Sequence, residues 1–72
     1  MRINEVVDVR VIYPDGRVKA MEIAEMPIEG LLEELRINPV EVIIAKNGAI
    51  VPEDEMVRND DELKIIWVKH GG

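Results

Sequence analysis

The chain has 72 residues, a formal net charge of −6 at pH 7, no cysteine and a single histidine, His70. Without cysteine there is no disulfide, thiolate metal site or thiol nucleophile, and one histidine argues against an intrinsic zinc site or a serine–histidine triad. The negative charge argues against nucleic acid as a partner, and no run is long and apolar enough to span a membrane. We therefore expect one small cytoplasmic domain without a membrane partner.

The first part of the chain predicts a β-hairpin. Residues 3–13 alternate valines with charged side chains, a pattern typical of a strand whose odd positions face inward. Residues 14–16, Pro-Asp-Gly, predict a turn, because proline presets φ and glycine takes the left-handed position. Residues 17–24 are predicted as the returning strand. Their alternation is irregular, and either a bulge or an edge position would explain it.

A single amphipathic helix follows. The apolar residues with i, i+3, i+4, i+7 spacing are Ile28, Leu31, Leu32 and Leu35. Pro27 suits the first helical turn, and Asn38-Pro39 is expected to stop the helix. The polar side of the helix is rich in glutamate, so its apolar stripe must face the protein.

Three further strands complete the prediction. Residues 41–46 form an apolar strand, Asn47-Gly48 is a strong signal for a tight hairpin turn, and residues 49–51 form a short strand. An acidic loop over 52–61 leads to the last strand, 62–69. The order is β-β-α-β-β-β, which indicates an α+β domain with one helix on one face of a mixed sheet.

One helix covers only one face of a sheet, so the other face is expected to be open. On the last strand, Leu63 and Ile65 have the parity that meets the helix. Trp67 shares that parity and is expected at the edge of the core, with a partner-interface anchor as the alternative. The residues predicted to form an apolar partner-binding patch on the open face are Ile43, Ala45, Ile66 and Val68. Ordinary surface or a dimer contact is the alternative.

Two acidic triplets, residues 53–55 and 60–62, lack the glycine and spacing of an EF-hand loop. A solvated acidic loop is therefore expected there. A divalent cation site and docking to a basic groove are the alternatives.

Four segments together resemble one protein family: the helix 28–35, the stretch 35–52, the acidic residues 60–62 and the final Gly71-Gly72. They are similar to the ThiS/MoaD sulfur carriers, which are small ubiquitin-like proteins, and the chain resembles ThiS and the archaeal small modifiers more than it resembles MoaD. The resemblance implies a ubiquitin-like β-grasp fold, with a mixed sheet of four to five strands and one helix on one face.

The same resemblance implies a mechanism. An adenylating enzyme of the ubiquitin-activating type uses ATP and magnesium to activate Gly72, and a sulfur donor protein then converts it to a thiocarboxylate. A downstream synthase or thiolase would use this sulfur in thiamine, molybdopterin or tRNA thiolation chemistry. The chain itself would bind no cofactor and hold no metal or catalytic residue, acting as a covalent cosubstrate. The alternatives are a modifier joined through Gly72 to lysines of target proteins, and a non-covalent β-grasp binding module.

The final glycines suit this role, because they leave a slender tail that can enter a narrow active site. We expect residues 1–69 to form a single domain and residues 70–72 a flexible tail, in which Gly71 keeps the approach to Gly72 thin. His70 is expected to be an exposed tail residue without a special role. Tuning by pH and contact with the activating enzyme are its alternatives.

Overall fold

The computed structural model describes residues 6–68. The strands are β1 (Val6–Ile12), β2 (Val18–Ala24), β3 (Val42–Lys46), β4 (Ala49–Val51) and β5 (Asp61–Trp67). One helix, α1 (Ile28–Glu34), follows β2, and a 3-10 turn, Pro39–Glu41, precedes β3. The predicted order β-β-α-β-β-β is confirmed. The last strand is predicted over residues 62–69. Instead, β5 begins at Asp61 and ends at Trp67, and Val68 lies beyond it.

The five strands form one mixed sheet in the order β2-β1-β5-β3-β4. The central strand β5 runs parallel to β1 and antiparallel to β3, and the other two pairs are antiparallel hairpins. Strand β2 pairs with β1 in an unbroken register from Val18 to Ala24, without a bulge. Its irregular alternation therefore reflects an edge position, where most side chains on both faces remain exposed.

The core lies between the sheet and α1. Strand β1 buries its odd-numbered valines as predicted, and β3 buries Val42 and Ile44. The helix contributes Ile28, Leu31 and Leu32, each at most 2% exposed. Val57, in the loop before β5, is also fully buried. Sequence reasoning missed this residue, because a lone valine in an acidic loop shows no periodicity.

The helix ends earlier than predicted. Arg36 takes a left-handed φ of 61°, and its N–H donates to the Glu33 carbonyl at 3.0 Å. The Ile37 N–H donates to the Leu32 carbonyl at 2.9 Å. These two bonds form a Schellman motif, which closes the helix before Pro39. The proline instead lies in the 3-10 turn that leads into β3.

Candidate functional site

The face of the sheet opposite α1, here called the open face, carries the predicted patch. In the β3–β5 register Ile43 lies directly opposite Ile66, and Ala45 lies opposite Lys64. Ile43 is 41% exposed and Ile66 37% exposed, so both side chains reach solvent. Directly opposed residues of two strands lie on the same face, so the structure brings these residues together as the parity predicts.

Val68 is the fourth predicted member of the patch. It lies just beyond β5 and is half-buried. Its N–H donates to the Glu41 carbonyl at 2.9 Å, which continues the pairing of the two chain segments past the end of the strand. Val68 is therefore held beside the beginning of β3. Partner binding by Ile43, Ala45, Ile66 and Val68, together the sheet patch, stays a prediction.

The apolar surface extends further than sequence parity showed. Following the registers from one edge of the sheet to the other gives a row that crosses all five strands. Its members in order are Ile50, Ala45, Lys64, Ile12 and Val18. Ile50 and Val18, at the two ends of this open-face row, are 65% and 59% exposed. Sequence parity missed the row, because its members are aligned only by strand order and register.

Trp67 is the last residue of β5 and lies at the edge of the core. It pairs with the buried Val42, as its parity predicts. Nevertheless 54% of Trp67 is exposed. It lines a shallow hollow of about 270 Å³ with Tyr13 and Ile37, among other residues. Trp67 therefore borders the core while more than half of its surface stays open to solvent.

A polar network replaces the solvated loop expected at residues 60–62. Asp61 is only 6% exposed. Its carboxylate accepts the Arg58 N–H at 2.8 Å and the Asn47 side-chain amide at 2.9 Å, and it lies 3.2 Å from the Lys46 ammonium. The expectation was therefore wrong for Asp61, because cross-strand partners that are distant in sequence converge on it.

The network clamps the β3–β4 turn to β5. The Asn47 N–H donates to the Glu62 carbonyl at 2.8 Å, and the Glu62 N–H donates to the Asn47 side-chain oxygen at 2.9 Å. Asn47 and Gly48 have φ of 50° and 91°, which confirms the predicted tight turn. Strand β5, which carries Ile66, is thus fixed at its beginning by side chains as well as by its ladders.

The electrostatics of Asp61 follow from these contacts. Burial acts to raise the pKa of Asp61, but the Arg58 N–H, the Asn47 amide and the Lys46 ammonium outweigh it. Together they hold the pKa of this carboxyl below its usual value. Lys46 also lies 3.2 Å from Glu55 and donates to the Met56 carbonyl at 2.9 Å. Asp61 therefore stays ionised at neutral pH as part of the folded structure.

The predicted tail residues His70, Gly71 and Gly72 lie outside the described residues. Over residues 6–68, no helix has the length and apolar character needed to cross a membrane. The same part of the chain places no group of three or more histidine, aspartate or glutamate side chains in an arrangement that could hold a metal ion. Within residues 6–68, the candidate functional surface is the open face of the sheet.

The fold is similar to that of a solved structure, a de novo design based on ubiquitin. The two chains share 13% sequence identity with a TM-score of 0.66, and the match covers 92% of this chain and 93% of the design. At this identity the likeness concerns the fold alone, which is ubiquitin-like. Among curated proteins, none matches the chain.

The sequence itself matches the ThiS family over residues 13–72. This range begins at the turn between β1 and β2, takes in the helix, the open-face residues of β3 and β5 and Asn47-Gly48, and runs through Gly71-Gly72. The family match agrees with the observed ubiquitin-like β-grasp architecture, in which one helix packs on a five-stranded mixed sheet. With most of its length matched and the fold in agreement, this chain belongs to the ThiS family of small, ubiquitin-like sulfur carrier proteins.

Proposed function

We propose that this protein carries sulfur on the carboxyl group of Gly72. The observation that supports the proposal most strongly is the family match, which continues through Gly71-Gly72. Members of this family are small carriers and not enzymes. The chain would accordingly act as a covalent cosubstrate, and the catalytic groups, ATP and magnesium would belong to its partner enzyme.

The chemistry requires activation by that partner. A terminal carboxyl has a pKa of about 3.3–3.7, so it is ionised at neutral pH and is a poor electrophile. Attack of a carboxylate oxygen on the α-phosphorus of ATP would form an acyl adenylate and release pyrophosphate. The outer sulfur of a persulfide on a donor protein would then attack the acyl carbon and expel AMP, which gives an acyl disulfide between the two proteins. A thiol would attack the donor's sulfur in this bond, which leaves the thiocarboxylate on Gly72 and a disulfide on the donor. The chain has no cysteine, so this sulfur must be delivered from outside.

The sheet patch is the surface that would present Gly72 to the adenylating enzyme. Exposed aliphatic side chains that adjoin across two strands favour protein contact, since their burial removes apolar area from water. Gly72 lies six residue steps after Ile66, so an extended segment between them spans at most about 22 Å. A partner that docks on the sheet patch would therefore have Gly72 within reach of an active site close to the contact.

The direct test is intact-mass measurement. The protein is incubated with an adenylating enzyme from the same genome, ATP, magnesium, a persulfide-bearing sulfur donor protein and a thiol reductant, and the expected product has one oxygen replaced by sulfur. Gly72→Ala should block the change and leave the melting temperature unaltered. If the mass of the natural chain never changes with such an enzyme, the carrier proposal is wrong.

Attachment to proteins is the second candidate function, because an acyl adenylate is open to attack by an amine as well as by sulfur. The ubiquitin-like fold favours this reading. It predicts diglycine remnants on lysines of other proteins after proteolysis. A purely non-covalent binding module would behave differently from both candidates, because its partners would still bind the Gly72→Ala variant and function would persist.

A further inference from the structure

Lys64 is the one charged member of the open-face row. Its direct neighbours in the sheet are Ala45 on β3 and Ile12 on β1, and Ile66 follows it on the same face of β5. Lys64 is exposed and, within residues 6–68, pairs with no carboxylate. The nearest acidic residue on this face of β5, Glu62, is already paired with Arg10 at 2.5 Å.

A shallow hollow lies beside Lys64. Its volume is about 380 Å³, and its lining consists of Pro14, Lys64, Ile65, Ile66 and Trp67. Four of these five residues are apolar, so the hollow is an apolar pocket with a single cation in its lining. The lysine stem can lie along the aliphatic neighbours while its ammonium stays at the margin in water.

This arrangement constrains what can cover the open face. A wholly apolar partner would remove the Lys64 ammonium from water without pairing it, which opposes binding. A carboxylate on an otherwise apolar surface would pair with the ammonium, while its surroundings cover the aliphatic side chains. A second copy of this chain fits less well. Each copy carries a net charge of −6, and a two-fold contact centred on the row would bring the two Lys64 side chains together.

We propose that the adenylating enzyme docks on the open face with an apolar surface that carries a carboxylate, and that this carboxylate pairs with Lys64. Lys64 is then a residue that determines which activating enzyme accepts this carrier. The inference rests on the proposed function, which supplies the partner. It adds the chemical nature of the partner surface and identifies Lys64 as the residue that recognises this surface.

The direction in which one substitution changes the KM for the carrier tests the inference. Lys64→Met keeps an unbranched side chain of similar length and removes the charge. If the partner surface is apolar throughout, this variant should bind more tightly, because no cation needs to be desolvated. If the partner carries the carboxylate, the variant leaves that group unpaired, and the KM for the carrier in ATP–pyrophosphate exchange should rise about tenfold or more, with kcat unchanged.

Three further variants complete the experiment. Lys64→Glu should raise the KM more than Lys64→Met does, and Lys64→Arg should stay near the natural value. Lys19→Met is the matched control, since Lys19 is exposed on β2 opposite the buried Val11, on the other face of the sheet. It should change the KM less than twofold. Added salt should raise the KM of the natural protein and have little effect on Lys64→Met.

The outcomes separate the two proposals. An unchanged or lower KM for Lys64→Met, with normal adenylation of Gly72, overturns the carboxylate contact and leaves the carrier function in place. A concentration-dependent dimer of the natural chain that Ile66→Asp abolishes would show that a second copy covers the face, and that also overturns it. If even the natural chain is not adenylated, both proposals fail. Calorimetric titration of the enzyme with each variant gives the affinity independently of turnover.

Discussion

Replacing Asp61 with asparagine tests whether the buried polar network stabilises this fold. Asp61→Asn changes one oxygen to an amide group and removes the negative charge, with almost no change in volume. The new amide oxygen can still accept from Arg58 and face Lys46. Its NH2 group must then point at the side-chain NH2 of Asn47, which at present donates to Asp61 at 2.9 Å. Rotating Asn47 does not help, because its oxygen accepts the Glu62 N–H.

The expected loss follows from these contacts. Breaking a buried ion pair by removing one partner costs about 3–5 kcal/mol, because the other charge is left unpaired. Here Lys46, whose side chain is 12% exposed, keeps Glu55 at 3.2 Å and the Met56 carbonyl at 2.9 Å. The lower end of the range therefore applies, about 3 kcal/mol. A 72-residue domain has a total stability of about 4–11 kcal/mol, so this loss is a large part of it.

Urea unfolding at pH 7 measures this loss as a change in the free energy of unfolding. Asp60→Asn is the matched control. Asp60 is exposed, its φ is 69°, and asparagine tolerates that left-handed conformation. This control should change the stability by less than about 0.5 kcal/mol. If Asp61→Asn costs no more than Asp60→Asn, the network does not stabilise the fold and the reasoning is wrong.

The same variant should alter the pH dependence of stability. Because folding lowers the pKa of Asp61 from the ordinary 3.8, its ionised form favours the folded state above that value. This contribution is lost as the pH falls through the lowered pKa of the folded protein. The stability gap between the natural chain and Asp61→Asn should therefore narrow in strong acid, and a gap independent of pH would contradict the assignment.

Two further substitutions test the helix end and the two faces of β5. Arg36→Gly should raise the stability by about 1 kcal/mol in thermal or urea unfolding, because glycine takes the left-handed φ of 61° without steric cost, and a loss of stability would contradict this. Ile65→Ala should cost about 2–5 kcal/mol, since Ile65 is 2% exposed and packs in the core. Ile66, the next residue, lies on the open face, so Ile66→Ala should cost less than about 1 kcal/mol. Equal losses for the two variants would contradict the assignment of Ile65 to the core and of Ile66 to the open face.

Local patterns in the sequence were enough to predict the helix and the strands, and to predict which face of each element most side chains occupy. The odd valines of β1, the apolar stripe of α1 and the Asn47-Gly48 turn each depend on residues close in the chain, where periodicity and turn chemistry act. The parity of β3 and β5 likewise placed Ile43 and Ile66 on the open face. Parity concerns one strand at a time, so it could not show that Ile43 lies directly opposite Ile66.

Long-range contacts decided what sequence patterns did not. Asp61 belongs to an acidic triplet in sequence, yet tertiary packing buries it against Asn47 and Lys46, which belong to the β3–β4 hairpin. Strand order and register aligned the open-face row across the whole sheet and placed Lys64 among its aliphatic members.

The sequence by itself determined the β-grasp order of elements, the core-facing residues of β1, α1, β3 and β5, and the final diglycine that marks the proposed attachment site. Only the tertiary structure determined how the sheet's surface is composed and which charges are buried. The physical reason is distance: turn and helix preferences act within a few residues. Burial and charge pairing depend on residues that meet only after the chain has folded.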